Sequence, residues 1–130
     1  MLFRSNVGVY PHAFLSGHAH NYQRYTRSVK LAGKTMSVPF LVSGSGGHNV
    51  VPLVKSGADP APGTAVNYMD AKPAIPASGL LLAGFDDRNF GYLRVTVDKQ
   101  RLGIAFIPAG QTAPGDQVAI DLASRQLIPL

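Results

Sequence analysis

The last third of the chain alternates apolar and polar residues, and this pattern limits the fold more than any other feature. In FGYLRVTV, the side chains of Leu93, Val95 and Val97 share one face of an extended strand, because successive strand side chains point to opposite faces. Two further alternating runs, LGIAF and VAID, follow after turn-like segments. The pattern predicts a three-stranded antiparallel meander with one buried face.

Glycine and proline divide the rest of the chain. The run HAFLS at 12–16 ends in glycine and predicts a buried strand, and VPFLVS at 38–43 predicts another. The second run leads into Gly-Ser-Gly-Gly at 44–47, which we interpret as a tight turn. Residues 55–79 hold four prolines and predict a long irregular loop. No long helical stripe is evident, so we expect this chain to be mostly β.

Composition excludes several classes of protein. The length of 130 residues fits one domain at most, and the absence of cysteine excludes disulfides and thiolate metal sites. No stretch approaches the roughly 18 apolar residues of a membrane helix. The opening segment, MLFRSNVGVYPH, lacks the apolar core of a secretory signal. We therefore expect no membrane partner, and the compartment is left open.

Charge is unevenly distributed between the two halves. Residues 1–58 carry six basic residues and no acidic one (+6), whereas residues 59–130 carry six basic and seven acidic ones (−1). All seven acids are aspartates, and Asp59 is the first. A basic half is typical of proteins that bind nucleic acid, phosphate or an anionic surface.

The motif most directly tied to chemistry is Gly17-His18-Ala19-His20. In an extended segment, residues i and i+2 point the same way, so both imidazoles can reach one metal ion or two adjacent ions. Two-metal hydrolytic sites hold their ions about 3.5–4 Å apart, a spacing that neighbouring same-face side chains serve. The alternative is a pair of exposed loop histidines.

The surrounding string strengthens the metal interpretation. FLSGHAHNYQRYTR, followed by FLVSGSGGHN, resembles the C-terminal part of the calcineurin-like metallophosphoesterases, most of all the purple acid phosphatase branch. That branch carries G-H-x-H-x-Y-E-R, and only Gln23 departs from it, standing where the family has glutamate. The resemblance implies an α+β fold, a two-sheet sandwich flanked by helices. Residues 1–130 would be the C-terminal portion of that single domain, ending in the antiparallel meander.

The resemblance also implies a site. His18 would bind one ion of a binuclear metal centre and His20 the other, with Tyr22 and Arg24 supporting the loop behind these ligands. In the family the centre holds iron with zinc, manganese or a second iron, and its activated water attacks a phosphate ester. The implied partner is a phosphate ester substrate, with no nucleic acid. Relatives are often extracytoplasmic.

Four other histidine or aspartate positions are weaker candidates. His48 follows the glycine-rich turn and could approach the site, although a solvent-exposed loop histidine is the favoured interpretation. His12 is expected to be structural or partly exposed. Asp86 and Asp87 could pair as carboxylates, and a solvated turn is the favoured interpretation for them.

The family's other metal ligands lie in motifs that precede G-H-x-H, and they are missing from this sequence. No aspartate precedes Asp59, and no Asn-His pair occurs. Two neutral imidazoles hold a highly charged metal pair weakly without carboxylates. We therefore expect a C-terminal fragment of a phosphoesterase, with negligible activity alone.

Three rival interpretations remain. Amidohydrolases also place H-x-H after a strand, but the continuation at 21–24 does not belong to them. A small basic, non-catalytic, β-rich module would bind anions or nucleic acid through residues 1–58, in a salt-sensitive way. The third rival is a remnant with no function of its own.

Overall fold

The computed structural model describes residues 10–53, 74–75 and 80–130, and this part of the chain is mostly β, as predicted. The strands lie in two sheets, the first ordered β1-β3-β2-β5-β4 and the second β6-β7-β8-β9. Their bounds are β1 Phe14–Ser16, β2 Tyr22–Leu31, β3 Lys34–Ser43, β4 Ala74–Ile75, β5 Leu80–Asp86, β6 Gly91–Val97, β7 Arg101–Pro108, β8 Asp116–Asp121 and β9 Leu127–Ile128. Among the described residues, no helix is long and apolar enough to cross a membrane.

A long hairpin, β2–β3, forms the centre of the first sheet. Its two-residue turn consists of Ala32 and Gly33, whose φ angles of 48° and 76° are those that tight hairpins favour. The apolar run at 38–43 belongs to β3, as predicted, but β2 was not anticipated because its residues are mostly polar. Pairing with β3 on one side and β5 on the other satisfies its backbone, so the strand forms without an apolar face.

The first strand differs from its prediction. β1 is a short edge strand that pairs in parallel with β3, and Leu15 is 51% exposed rather than buried. Among the described strands, β1 pairs with β3 alone, so β3 covers only one of its two edges. Phe14 nevertheless packs on the sheet, because its ring stacks on Phe40 with centroids 4.5 Å apart.

The predicted meander is confirmed and is extended by β9. Its first turn is fastened by Asp98, whose carboxylate accepts hydrogen bonds from the Gln100 and Arg101 amides. The prediction of one buried face is wrong. Val95 and Val97 are 44% and 67% exposed, whereas β7 is buried on both faces along 104–107. Burial follows position in the sheet, since β7 is central and β6 lies at the edge.

The main core lies between the two sheets. Tyr22 and Leu41 of the first sheet pack with Ile104, Phe106 and Val118 of the second. The Tyr22 and Phe106 rings stack with centroids 4.4 Å apart and an interplanar angle of 8°. This stack places the start of β2 directly against the second sheet.

The two aspartates after β5 behave differently from each other. Asp86 accepts hydrogen bonds from the Arg88 and Asn89 amides, as a solvated turn requires. Asp87, in contrast, is buried, and its Oδ2 accepts a hydrogen bond from the Leu53 amide at 3.1 Å. The predicted solvated turn is therefore wrong for Asp87, because the segment before residue 54 packs against it.

The long irregular loop predicted for 55–79 lies outside the described residues, apart from Ala74–Ile75. These two residues pair antiparallel with β5.

Candidate metal centre

The G-H-A-H motif occupies the loop between β1 and β2. Because β1 and β3 are parallel, the loop that follows β1 and the glycine-rich loop that follows β3 emerge at the same edge of the sheet. The carboxyl ends of parallel strands are common positions for ligand sites. The topology therefore brings residues 17–21 and 44–51 together.

Hydrogen bonds tie these two loops to each other. The Gly44 amide donates to the Asn21 carbonyl at 3.1 Å, and the Val51 amide donates to the His20 carbonyl at 2.8 Å. Asn21 Nδ2 donates to the Val51 carbonyl at 2.8 Å. A Cβ on Gly44 would lie within 2.0 Å of the Ala19 carbonyl oxygen, so this close approach requires glycine.

The histidine loop is not an extended segment, contrary to the premise of the sequence argument. His18 has a φ of 82°, and the chain bends through residues 19–21. The spacing of two residues therefore does not by itself place His18 and His20 on one face. His18 is exposed and His20 is half-buried.

The imidazole contact that the structure shows joins His20 to His48. Their ring centroids are 4.2 Å apart, with an interplanar angle of 39°. His48 is exposed, as the favoured interpretation held, but it lies against the G-H-A-H loop rather than apart from it. No pattern in the sequence pairs these two residues, since 27 residues of chain separate them.

His12 takes the structural role that the sequence suggested. It is half-buried, and its Nε2 lies 3.1 Å from the Leu122 carbonyl oxygen. This hydrogen bond joins the segment before β1 to the end of the second sheet.

Tyr22 and Arg24 meet a carboxylate on the other sheet. Arg24 donates from Nε to Asp116 Oδ2 at 2.7 Å and from Nη2 to Oδ1 at 2.8 Å, and Tyr22 OH donates to Oδ2 at 2.8 Å. Asp116 is the first residue of β8, and no motif in the sequence marks it as a partner of Tyr22 or Arg24. Gly84 makes room for it, because a Cβ there would lie 2.1 Å from Asp116 Oδ2.

Burial and charge set the protonation of this cluster. Burial, with the Asp116 charge adding to it, raises the pKa of Tyr22 well above its usual range. Burial lowers the pKa of Arg24, but the hydrogen bonds to Asp116 and its charge outweigh this effect, so the pKa is raised overall. The Tyr22 phenol therefore remains a donor and the Arg24 guanidinium remains a cation.

Gln23, the one residue that departs from G-H-x-H-x-Y-E-R, makes two side-chain hydrogen bonds. Its Nε2 donates to Asn21 Oδ1 at 2.7 Å, while its Oε1 accepts a hydrogen bond from Tyr25 OH at 2.6 Å. Asn21 is 4% exposed. An amide can donate and accept at once, so Gln23 fixes the orientation of Asn21, which in turn ties the histidine loop to Val51.

A groove of about 500 Å³ opens beside the motif, between β1, the glycine-rich loop and the start of β6. Gly17 lines it together with the exposed apolar residues Leu15 and Tyr92. Its apolar lining is suited to packing against other protein segments more than to holding a phosphate group.

The described residues fit part of a transition-metal site. Imidazole is a good ligand for zinc, copper, iron and nickel. Within 10–53, 74–75 and 80–130, however, no group of three histidine, aspartate or glutamate residues is placed to hold a metal ion. This donor set does not fit a complete binuclear centre, which needs carboxylates to offset the charge of two ions, so no hydrolytic step follows from these residues alone.

Comparisons with protein-family models, with curated proteins and with solved structures find no match to this chain.

Proposed function

We propose that this chain is the C-terminal portion of a metal-dependent phosphoesterase domain of the calcineurin-like type. In it, His18 and His20 would bind the two ions of a binuclear centre of iron with zinc, manganese or a second iron. The observation that carries the proposal is the position of G-H-A-H at the carboxyl end of a parallel strand, tied by hydrogen bonds to the glycine-rich loop.

The two packed sheets support the sandwich part of this proposal. Tyr22 and Arg24 follow the motif directly and anchor it to the second sheet through Asp116. These contacts support a role for Tyr22 and Arg24 behind the proposed ligands, because they hold the start of β2 in place. When bound, the metal pair would supply an activated water for attack on a phosphate ester.

Two surfaces support the proposal that the site is incomplete in this chain. The apolar groove beside Gly17 is exposed, and so is the side chain of Leu15 on β1. Exposed apolar surfaces of this kind are expected where another part of a larger domain would pack. The first 58 residues also carry no acid to balance bound cations.

The test combines a melting experiment with an activity assay. We expect Mn²⁺ or Zn²⁺ to raise the melting temperature of the chain, because an ion that binds only the folded state stabilises it. His18→Ala and His20→Ala should each reduce that rise, and hydrolysis of p-nitrophenyl phosphate should be negligible throughout. Robust hydrolysis that His18→Ala abolishes would show that the site is complete, and an unchanged melting temperature would rule out the metal roles.

A second candidate function is the binding of anions or nucleic acid by a non-catalytic module. Exposed Lys30 and Lys34 at the tip of the β2–β3 hairpin favour it, since no acidic residue lies on the hairpin. This candidate predicts nucleic-acid affinity that falls steeply with salt and is unaffected by His18→Ala. Fluorescence anisotropy with labelled RNA and DNA at two salt concentrations tests it.

A further inference from the structure

His20, the second histidine of the G-H-x-H motif, forms an imidazole pair with His48, which lies outside the motif. They come from the two loops that follow adjacent parallel strands, and their ring centroids lie 4.2 Å apart. We propose that His20 and His48 together bind one divalent transition-metal ion. This inference rests on the proposed role of His20 as a metal ligand and adds His48 to that site.

The contact between the rings is supported by fixed loops. The Val51 amide donates to the His20 carbonyl, and the Asn21 side chain donates to the Val51 carbonyl, so His20 and the residue after it are linked to the segment that follows His48. Gly44 allows the backbones to approach. Because these bonds already hold the loops together, little conformational entropy remains to be lost when an ion draws the rings to itself.

The ring separation is close to that of two ligands on one ion. Imidazoles bound to one Zn²⁺ at about 2.1 Å, at angles between about 90° and 109°, place their ring centres roughly 4.6–5.3 Å apart, because each ring centre lies about 3.25 Å from the ion. From the observed 4.2 Å, the ring centres must separate by about 0.4–1.1 Å, a movement within reach of a rotation of the exposed His48 side chain.

Ligand chemistry selects the ion. Two neutral nitrogen donors favour Cu²⁺, Ni²⁺, Co²⁺ or Zn²⁺, whereas Mg²⁺ and Ca²⁺ prefer oxygen ligands. Exposure of His48 leaves further coordination positions open to water or to groups from another segment. The second imidazole would therefore let this basic half of the chain hold an ion that His20 alone would bind weakly.

The experiment uses Cu²⁺ and Zn²⁺ alone as probes. In the unaltered chain, the Cu²⁺ electron paramagnetic resonance spectrum should show at least two nitrogen ligands. His48→Gln should remove one of them and weaken Zn²⁺ binding in calorimetry by at least about tenfold, the scale at which even outer partners of a ligand act. His12→Gln is the matched control, because the His12 ring is engaged with Leu122.

A measurement on the unaltered chain tests the inference even if a variant loses Zn²⁺ binding because it does not fold. Zn²⁺ titration followed by nuclear magnetic resonance of the imidazole nitrogens should shift the His20 and His48 signals together. The inference is overturned if the His48 signals do not move or if His48→Gln binds Zn²⁺ as tightly as the unaltered chain. If only His18→Gln and His20→Gln lose Zn²⁺ binding, the role of His48 is overturned and the proposed function stands. If no variant changes Zn²⁺ binding, both the role of His48 and the proposed function are overturned.

Discussion

Arg24 and Asp116 form a two-bond ion pair that joins the two sheets, with N–O distances of 2.7 and 2.8 Å. Their side chains are only 11% and 19% exposed, so water does little to screen the pair. Tyr22 donates a third hydrogen bond to the same carboxylate. The strand that follows the histidine motif is therefore held to the second sheet by charge as well as by packing.

Loss of Arg24 should be costly. Arg24→Met leaves the largely buried Asp116 carboxylate without its counter-ion, and we expect a loss of about 2–4 kcal/mol in the free energy of unfolding. Urea denaturation measures the change. Arg101→Met is the matched control, because the Arg101–Asp98 pair is exposed and should contribute little. Equal effects of the two substitutions would contradict the structural role of Arg24.

Removal of the Tyr22 hydroxyl should cost less. Tyr22→Phe keeps the stack on Phe106 but removes a donor to a charged acceptor, for which we expect about 1.5–3 kcal/mol. Tyr92→Phe, at a tyrosine that is 57% exposed, should change the free energy of unfolding by less than about 0.5 kcal/mol. Urea midpoints for both variants check the difference, and a neutral Tyr22→Phe would argue against this hydrogen bond.

Stability should fall in alkaline solution because of the same tyrosine. The pKa of Tyr22 is raised in the folded chain, so the stabilisation is fully present below the unfolded pKa of about 10 and is lost as the pH rises toward the folded value. The free energy of unfolding should decline by up to about 1.4 kcal/mol per pH unit above pH 10. Tyr22→Phe should flatten this decline in urea titrations between pH 9 and 11.5. An unchanged slope would contradict the raised pKa.

A side chain at Gly44 should displace the histidine loop. A Cβ there meets the Ala19 carbonyl oxygen at 2.0 Å, and we expect Gly44→Ala to cost about 1–3 kcal/mol and to weaken Zn²⁺ binding. Gly46→Ala is the matched control, since the nearest atom to its Cβ is 3.9 Å away. Thermal melts and Zn²⁺ calorimetry compare the two variants. Similar results for both would show that the loops do not need this close approach.

Replacement of Gln23 by glutamate should destabilise the chain. An ionised carboxylate cannot donate to Asn21 Oδ1, so we expect Gln23→Glu to cost about 1–3 kcal/mol at pH 7. The protonated carboxyl of Gln23→Glu could donate this hydrogen bond, so the folded chain should favour the protonated form and raise the pKa of that carboxyl. The loss of stability should therefore shrink as the pH falls toward 4. Gln111→Glu, at an exposed position, is the control. A pH-independent difference in urea stability would contradict this explanation.

The alternation of apolar and polar residues, together with the positions of glycine and proline, was enough to predict part of the fold. The meander, the turn-like segments between its strands and the apolar run within β3 were anticipated, because they depend on side-chain periodicity and turn chemistry that act over a few residues. β2 was missed because its polar residues carry no strand pattern. Val95 was expected inside because periodicity assigns a face to a residue but does not say whether anything covers that face.

The candidate site, like the fold, could be predicted only in part from the sequence. The sequence by itself determined the G-H-x-H string and the shortage of acids around it. Only the tertiary structure decided that His20 meets His48 and that Arg24 meets Asp116, 92 positions along the chain. Such contacts depend on how strands are ordered and how sheets face each other, which local pattern does not encode.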